Sequence, residues 1–162
     1  MSDCYYDADG CLVCPEQDAQ PYIPSRIERR PVLAWNAGAN SITTRDGGMR
    51  VKFTQPLGVI GAIIGFKSGR THQTVPGLVE HGWYFQNVGG VDLVQPIESG
   101  KVLGMPIAGR TADTLFEIRR VDGVVRYVMD GVVVRVSDVN SVGYKVVNCC
   151  LFASGDSASG GA

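Results

Sequence analysis

The sequence predicts an all-β protein, an antiparallel β-sandwich, because short β-branched runs alternate with dipeptides that favour tight turns. Between residues 113 and 137, Asp122-Gly123 and Asp130-Gly131 separate three runs rich in Val, Ile, Phe and Tyr. Asp-Gly favours the positive φ angles of two-residue hairpin turns, so these runs are predicted to form a three-stranded meander. The 21 glycines and the lack of sustained helical periodicity favour strands and turns over helices.

The first 31 residues differ in composition from the rest of the chain. They contain three of the five cysteines and four of the eight prolines. Because proline biases the residue before it toward extended conformations, we predict an extended arm over residues 1–31. We predict a β-sandwich domain over residues 32–156, followed by a flexible Ser/Gly-rich tail over residues 157–162.

Within the domain, short apolar runs predict strands and the polar, glycine-rich segments between them predict turns. One of these predicted turns is the segment Asn36-Ala-Gly-Ala-Asn40. Besides the meander, strands are predicted over residues 41–44, 49–54, 58–66, 83–88, 91–95, 101–107 and 143–152.

Alternation along the predicted strands assigns side chains to faces. In the meander it directs Phe116, Ile118, Tyr127 and Met129 into the core. The run Gly58–Phe66 has no polar face, so it predicts either a strand covered on both sides or a strand at a protein interface. Its glycines predict twists or the close approach of another backbone.

Charge and hydropathy limit the classes of partner. The net charge is −1 and the pI is near 6.1, and the Lys and Arg residues are scattered along the chain. This balance argues against a nucleic-acid partner. No apolar run is long enough for a membrane span, and the start Met-Ser-Asp-Cys lacks the basic and then apolar pattern of a signal peptide.

The cysteines leave three alternatives open. Cys4, Cys11 and Cys14 have the spacing C-x6-C-x2-C, and Cys149 and Cys150 lie near the other end of the chain. The first three, with Cys149 or Cys150 as a fourth ligand, could hold a structural zinc ion or an iron–sulfur cluster. The other two alternatives are a disulfide and unpaired thiols. Apart from this possible structural metal, we predict no cofactor.

The acids and histidines do not form a recognisable catalytic pattern, so we predict that the chain is not an enzyme. Glu117 is the only acid within its strand and Asp113 falls at the strand start, whereas sugar hydrolysis needs a pair of carboxylates. His72 and His81 have no metalloprotease or triad spacing and are predicted to be surface loop residues.

Aromatic residues offer a candidate carbohydrate site. An exposed Trp or Tyr can stack on the apolar face of a sugar while neighbouring polar groups bind its hydroxyls. The candidate contacts are His81, Trp83, Tyr84 and Asn87. The alternative is that Trp83 and Phe85 are core residues and Tyr84 is an ordinary surface residue.

A family resemblance rests on an ordered set of motifs. These are Phe116-x-Ile-x-Arg-x-x-Gly123-x-Val-x-Tyr127-x-x-x-Gly131, then Ser137, then Cys150-Leu-Phe-Ala-Ser-Gly-Asp156. Together they resemble the second half of the concanavalin A-like lectin/glucanase sandwiches of phage tail and receptor-binding proteins. Trp35-Asn-Ala-Gly-Ala-Asn-Ser41 resembles the opening strand of such modules, and Gly58–Phe66 resembles their long central strand. The resemblance covers about residues 32–156.

The resemblance implies a jelly-roll sandwich that binds rather than cleaves. It implies a structural protein of a phage virion at the tail tip or baseplate, made in the bacterial cytoplasm and assembled with other tail proteins through the arm. A homo-oligomer in the particle follows from the same expectation. The alternative is a module that binds a host surface polysaccharide. The metal-binding loop of the plant lectins and the acid cluster of the glucanases have no counterpart here, so the family name implies fold and not activity.

Overall fold

The computed structural model of the protein describes residues 5–6, 12–13, 33–41, 46–71, 74–153 and 159–160. The chain divides into two units, residues 1–32 and residues 33–162. In the first unit, β1 (Tyr5–Tyr6) pairs antiparallel with β2 (Leu12–Val13). The rest of the predicted arm lies outside the described residues.

The second unit is an all-β sandwich, which confirms the predicted fold class. Its strands are β3 (Leu33–Asn40), β4 (Met49–Thr54), β5 (Gly61–Lys67), β6 (His81–Val88), β7 (Val91–Glu98), β8 (Lys101–Val102), β9 (Phe116–Val121), β10 (Val124–Met129), β11 (Val132–Val136), β12 (Val146–Ala153) and β13 (Ser159–Gly160). One sheet has the order β11-β10-β9-β4-β13 and the other has the order β3-β12-β5-β6-β7-β8. The paired strands are antiparallel throughout. A 3-10 helix, Pro76–Leu78, lies in the connection between β5 and β6.

The meander is confirmed in its strands and in its turns. Val121 pairs with Val124 and Met129 pairs with Val132, so each turn contains only its Asp-Gly dipeptide. Both residues of each turn have positive φ, 50° and 78° at the first turn and 49° and 81° at the second. These are the signs that a type I′ turn requires, and such turns match the twist of the flanking strands.

The main core lies between the two sheets and is rich in aromatic rings. The meander residues Phe116, Ile118 and Tyr127 are fully buried, and Met129 packs against them, as predicted. The facing sheet contributes fully buried side chains from three strands, which are Ala62, Phe66, Trp83, Phe85 and Val94.

Strand β5 is central and is buried along its whole length, which confirms the prediction of a strand covered on both sides. Ala62 and Ile64 face the main core, while Ile63 lies in a second apolar cluster on the outer face of the same sheet. The prediction that a glycine of this run marks the close approach of another backbone is confirmed at Gly65, whereas Gly61 approaches a side chain. A Cβ atom on Gly61 would lie 2.7 Å from the Cβ atom of Phe152, and one on Gly65 would lie 2.5 Å from the Cα atom of Gly82.

Some predicted strand boundaries are wrong. Residues 36–40, predicted as a turn, form the second half of β3, because they pair with β12 and Asn40 lies opposite Asn148. Ser41 lies just beyond β3, and the rest of the strand predicted over 41–44 is outside the described residues. In place of a strand over 101–107, β8 is followed by a single bridge between Val94 and Ile107.

Candidate functional site

A pocket lies at the end of the sandwich where β6 begins and β7 ends. The two strands form a hairpin around Gly89 and Gly90, with Val88 opposite Val91 and Gly82 opposite Ile97. The same register of β6 against β7, continued by one residue, places His81 beside Glu98. The loop between β11 and β12 contributes Val139 and Asn140 to the same pocket.

The pocket has a volume of about 250 Å³. Six of its eight lining residues are polar or charged, namely Glu80, His81, Glu98, Ser99, Lys101 and Asn140. Leu103 and Val139 supply the apolar part of the wall. A concave site of mixed polarity is the usual setting for a small ligand.

His81 is the most buried polar residue of the pocket, with 2% of its surface exposed. Its Nε2 atom lies 3.0 Å from the carbonyl oxygen of Val139. Because a carbonyl oxygen only accepts hydrogen bonds, this contact assigns the ring proton to Nε2. Burial is the main cause that holds the pKa of His81 below its ordinary value, so the ring is neutral at pH 7.

The neutral ring therefore offers the lone pair of Nδ1 as a hydrogen-bond acceptor. This atom is buried and has no hydrogen-bond partner among the described residues. The prediction that His81 is a surface loop residue is wrong, because the pairing of β5 with β6 brings His81 opposite Phe66 in the interior. His72 lies outside the described residues.

The pocket also contains two carboxylates in different environments. Glu80 accepts hydrogen bonds from Lys145 Nζ at 2.9 Å and from Ser68 Oγ at 2.8 Å. Burial raises the pKa of Glu80, but these hydrogen bonds and the charge of Lys145 outweigh it and leave the pKa below its ordinary value. Glu98 accepts a longer hydrogen bond, 3.4 Å, from the hydroxyl group of Tyr127.

The structure places Trp83 in the core and not on the surface. Its ring packs edge-on against Phe116 and Tyr127, at centroid distances of 5.3 and 5.4 Å. Its Nε1 donates to the main-chain oxygen of Glu117 at 3.2 Å. With no part of Trp83 exposed, the alternative prediction of Trp83 and Phe85 as core residues is confirmed.

The other predicted carbohydrate contacts lie apart from His81. Tyr84 is half-buried on the outer face of its sheet, where its ring lies 6.3 Å from that of Trp35. Asn87 Oδ1 accepts from the main-chain nitrogen of Gly90 at 3.2 Å and so belongs to the hairpin turn. Of the four predicted contacts, only His81 lines the pocket.

Glu117 lies outside this pocket, on the outer face of the five-stranded sheet. Its Oε1 atom lies 2.7 Å from Arg119 Nε and 2.9 Å from Arg50 Nε, and its Oε2 atom lies 4.0 Å from Lys52 Nζ. Burial raises the pKa of Glu117, but the hydrogen bond from Arg119 and the three positive charges outweigh it and lower the pKa. Glu117 therefore neutralises cations, and no second carboxylate pairs with it among the side chains that the structure describes. The other acid considered from the sequence, Asp113, is exposed in the turn before β9.

The cysteine predictions are only partly covered by the structure. Cys4, Cys11 and Cys14 lie outside the described residues. Cys149 packs against the main core, while Cys150 is buried on the opposite face of β12 and donates to Asn148 Oδ1 at 3.0 Å. Burial raises the pKa of Cys150 to about 11, so its thiol stays protonated at pH 7. Among the described side chains, no three His, Cys, Asp or Glu residues are placed to share a metal ion.

An apolar surface surrounds the exposed edge of the five-stranded sheet. Strand β11 forms this edge, and Val132 and Val133 are 65% and 45% exposed. Val134 and Val136 on the same strand are also exposed. The following loop adds Val142 and Tyr144, which are 74% and 67% exposed. We call this group of exposed residues on β11 and its following loop the β11 surface.

No protein-family model matches this sequence, and no curated protein sequence matches it. In the part of the chain that the structure describes, no helix has the length and apolar character to cross a membrane.

The sequence did not lead us to predict that one pocket is lined by Glu80, His81 and Glu98. A signal was present, because Gly89-Gly90 between two apolar runs is a two-residue hairpin turn. Counting back from this turn pairs His81 with Glu98. The contribution of Val139 and Asn140 has no such local signal, since they lie on the loop between β11 and β12, far along the chain from β6 and β7.

Proposed function

We propose that this chain is a non-catalytic structural protein of a phage virion, located at the tail tip or baseplate and joined there to neighbouring protein chains. The observation that supports this proposal best is the β11 surface. A sheet edge has unpaired main-chain donors and acceptors, and natural proteins usually protect it with charges, proline or a covering segment. Strand β11 instead exposes four valines and a single arginine, Arg135.

An exposed apolar edge of this kind is suited to a protein partner. A neighbouring strand can add to it through main-chain hydrogen bonds, while the valine side chains are removed from water. The arm over residues 1–31 is a further segment proposed to contact neighbouring chains. A homo-oligomer within the particle belongs to the same proposal.

The carboxylates of the pocket favour binding over catalysis. A glycoside hydrolase needs a carboxylic acid whose raised pKa keeps it protonated. Glu80 has the opposite property, because Lys145 and Ser68 stabilise its ionised form. Glu80 is therefore unsuited to the role of the general acid.

The test of the structural role is the incorporation of variants into particles. Val132→Lys with Val136→Lys would place two charges on the β11 edge while leaving the core unchanged. Particles made with this variant are expected to lack the chain, as are particles made with a chain lacking residues 1–31. Met105→Lys is the matched control, because Met105 is 85% exposed on a different strand connection and is expected to be neutral. Normal incorporation of the edge variant and of the arm deletion would refute the structural role.

A second candidate function is the binding of a host surface polysaccharide, and the pocket beside His81 favours it. The full chain would be applied to an array of bacterial polysaccharides. Binding to particular glycans that falls on substitution Asn140→Ala would support this function. If no glycan on the array is bound while particle assembly depends on the β11 edge, only the structural role remains supported.

A further inference from the structure

We infer that residues 1–25 of one copy of this chain bind to a basic face on the five-stranded sheet of a neighbouring copy. We call residues 1–25 the acidic segment. The basic face consists of Arg50 and Lys52 on β4, Arg119 on β9 and Arg126 on β10. This inference rests on the proposed structural role, in which the arm contacts neighbouring chains, and it identifies the partner as a second copy.

The first step is the uneven distribution of charge along the chain. All 15 Lys and Arg residues lie after residue 25, whereas five of the 16 acids lie before it, namely Asp3, Asp7, Asp9, Glu16 and Asp18. The acidic segment therefore has a side-chain charge of −5, and the 15 bases and 11 acids of the remaining chain give +4. The net charge of −1 is the sum of the two. Each copy thus contains two parts whose charges are complementary between copies.

The second step is the concentration of positive charge on the outer face of the five-stranded sheet. The strand register aligns Arg50, Arg119 and Arg126 across three adjacent strands. Neighbouring strands are about 4.8 Å apart, so this row spans about 10 Å. Lys52 lies on the same face, opposite Glu117. Among the described strand residues of this face, four cations thus meet one carboxylate, which leaves an excess of three positive charges.

The third step is that Glu117 does not neutralise the whole row. Its carboxylate lies 2.7 Å from Arg119 and 2.9 Å from Arg50, whereas Arg126 has no ion pair among the described residues. The side chains of Arg50 and Arg119 are still 53% and 38% exposed. Because like charges directly across a sheet repel, a further anion would stabilise the row. Guanidinium groups bind carboxylates through paired hydrogen bonds, so aspartate and glutamate side chains are suitable anions.

The signs of the charges determine how two copies pair. Two basic faces repel each other, as do two acidic segments, so the acidic segment of one copy joins the basic face of the next. Such a head-to-tail contact closes into a ring or continues as a filament. At its other end the arginine row reaches Val136 of β11, which lies opposite Arg126 and belongs to the β11 surface. The basic face is therefore continuous with the surface already proposed to contact other chains.

The inference is tested by sedimentation velocity of the full chain at low and at high salt. We expect the chain to self-associate at low salt and to dissociate as salt screens the exposed charges. Arg126→Glu on the face, and Asp7→Lys with Asp9→Lys on the segment, are each expected to weaken the association about tenfold, because each replaces attraction by repulsion. Arg126→Glu should keep the fold, since the new carboxylate lies opposite Arg119.

A mixture of the face variant and the segment variant tests the head-to-tail pairing. Each variant keeps one half of the contact, so the unchanged segment of the face variant can bind the unchanged face of the segment variant. We expect a one-to-one complex with the affinity of the unchanged protein. The matched control is Met105→Glu with Val88→Glu, which changes the net charge by the same −2 as Arg126→Glu at residues that are 85% and 56% exposed outside the basic face. It is expected to leave the association unchanged.

A chain that stays monomeric at low salt, or a mixture that forms no complex, would overturn the inference. Association that survives deletion of residues 1–25 would also overturn it, because another segment would then occupy the basic face. Binding of acidic polysaccharides that Arg126→Glu abolishes, without self-association, would assign the face to a glycan instead. Incorporation into particles through the β11 edge is measured separately, so failure of this inference is distinguishable from failure of the structural role.

Discussion

At Gly65, the backbone of β5 passes so close to β6 that no side chain fits between the two strands. A Cβ atom there would clash with the main-chain oxygen of His81 and would lie 2.5 Å from Gly82 Cα. Both neighbours are backbone atoms in a buried part of the sheet, so neither can move aside cheaply. The same contact fixes the position of His81 at the rim of the pocket.

Gly65→Ala is therefore expected to destabilise the protein by more than about 3 kcal/mol, because a backbone clash in the core is among the costliest changes. Gly77→Ala is the matched control. A Cβ atom on Gly77 would meet nothing within 4 Å, and its φ is not in the left-handed region. Urea unfolding of both variants measures the difference. Equal midpoints for the two variants would contradict the close approach.

Around Glu117, the sheet register creates a row of like charges. Arg50 lies opposite Arg119, and Arg119 lies opposite Arg126 on the next strand. Like charges directly across a sheet repel, so the row needs a compensating anion. Glu117 supplies it to Arg50 and Arg119, while Arg126 has no ion pair among the described residues.

Glu117→Gln is expected to lower the free energy of unfolding by about 1 kcal/mol at pH 7 and low salt. The expected decrease in the free energy of unfolding is modest because the three cations around Glu117 are partly exposed and screened by water, namely Arg50, Lys52 and Arg119. The loss should shrink when salt is added. Asp138→Asn is the control, since that carboxylate is 95% exposed at 3.7 Å from Arg135, and its effect should be near zero. Identical urea midpoints for Glu117→Gln and the unchanged protein would argue against the compensating role.

At the scale of elements, the two Asp-Gly turns of the meander differ in one respect. Asp130 not only takes a positive φ but also accepts a hydrogen bond from the Leu115 main-chain nitrogen at 2.9 Å. Its own nitrogen donates to the Leu115 oxygen at 2.8 Å. The second turn is therefore tied to the start of β9, whereas Asp122 makes no such side-chain bond to any residue that the structure describes.

Asp130→Ala is expected to cost about 0.5–1.5 kcal/mol more than Asp122→Ala. Both substitutions place alanine at positive φ, so the strain cancels in the comparison and the difference is the lost hydrogen bond. Thermal or urea unfolding of the two variants gives this difference. If Asp122→Ala were the more destabilising change, the role assigned to Asp130 would be wrong.

The elements that the sequence predicts best are those with a local cause. The meander follows from its Asp-Gly turns, and the burial of β5 follows from the absence of polar residues between Gly58 and Phe66. Strand β3 has no such cause, because Asn36–Asn40 consists of small and polar residues that favour turns in isolation. Its pairing with β12, far away along the chain, overrides this preference.

The candidate site likewise combines features that have a local cause in the sequence with features that depend on residues far apart in the chain. The position of His81 beside Glu98 is set by a hairpin and could be predicted from the sequence, whereas the contact of His81 with Val139 comes from the distant loop between β11 and β12. The burial of Trp83 follows from the alternation of β6, which also turns Tyr84 to the other face. A consecutive aromatic triplet cannot form one binding surface on a strand.

At the scale of the whole molecule, His81 links stability to pH. Its pKa is lowered in the folded state, so the unfolded chain takes up a proton at a higher pH than the folded chain does. Burial is the main cause of the lowered pKa of His81, and the charge of Lys145 lowers it further. The hydrogen bond to the Val139 carbonyl and the charges of Glu98 and Glu80 act in the opposite direction. Protonation of His81 therefore does not reduce the free energy of unfolding above the ordinary histidine pKa of 6.5. The free energy of unfolding falls as the pH decreases from there toward the pKa of His81 in the folded state.

The free energy of unfolding is thus expected to decrease between pH 7 and pH 5.5, and His81→Gln is expected to reduce this slope. Glu80 and Glu117 have lowered pKa values, so their contributions are lost only below about pH 4.5 and do not affect this window. Urea unfolding at several pH values measures the slope for both proteins. Parallel slopes would show that His81 is not the group responsible.

The position of β12 between β3 and β5 has a consequence for the synthesis of the chain. Asn148 joins Asn40 from 108 residues away, so the six-stranded sheet stays incomplete until residues near the end of this sequence have been made. At about 5–20 residues per second, the roughly 80 residues between β5 and β12 take on the order of 4–16 s to translate. During that interval β5, which is buried along its whole length in the folded protein, has one open edge. The nascent chain on the ribosome, more than the finished protein, is where aggregation through β5 competes with folding.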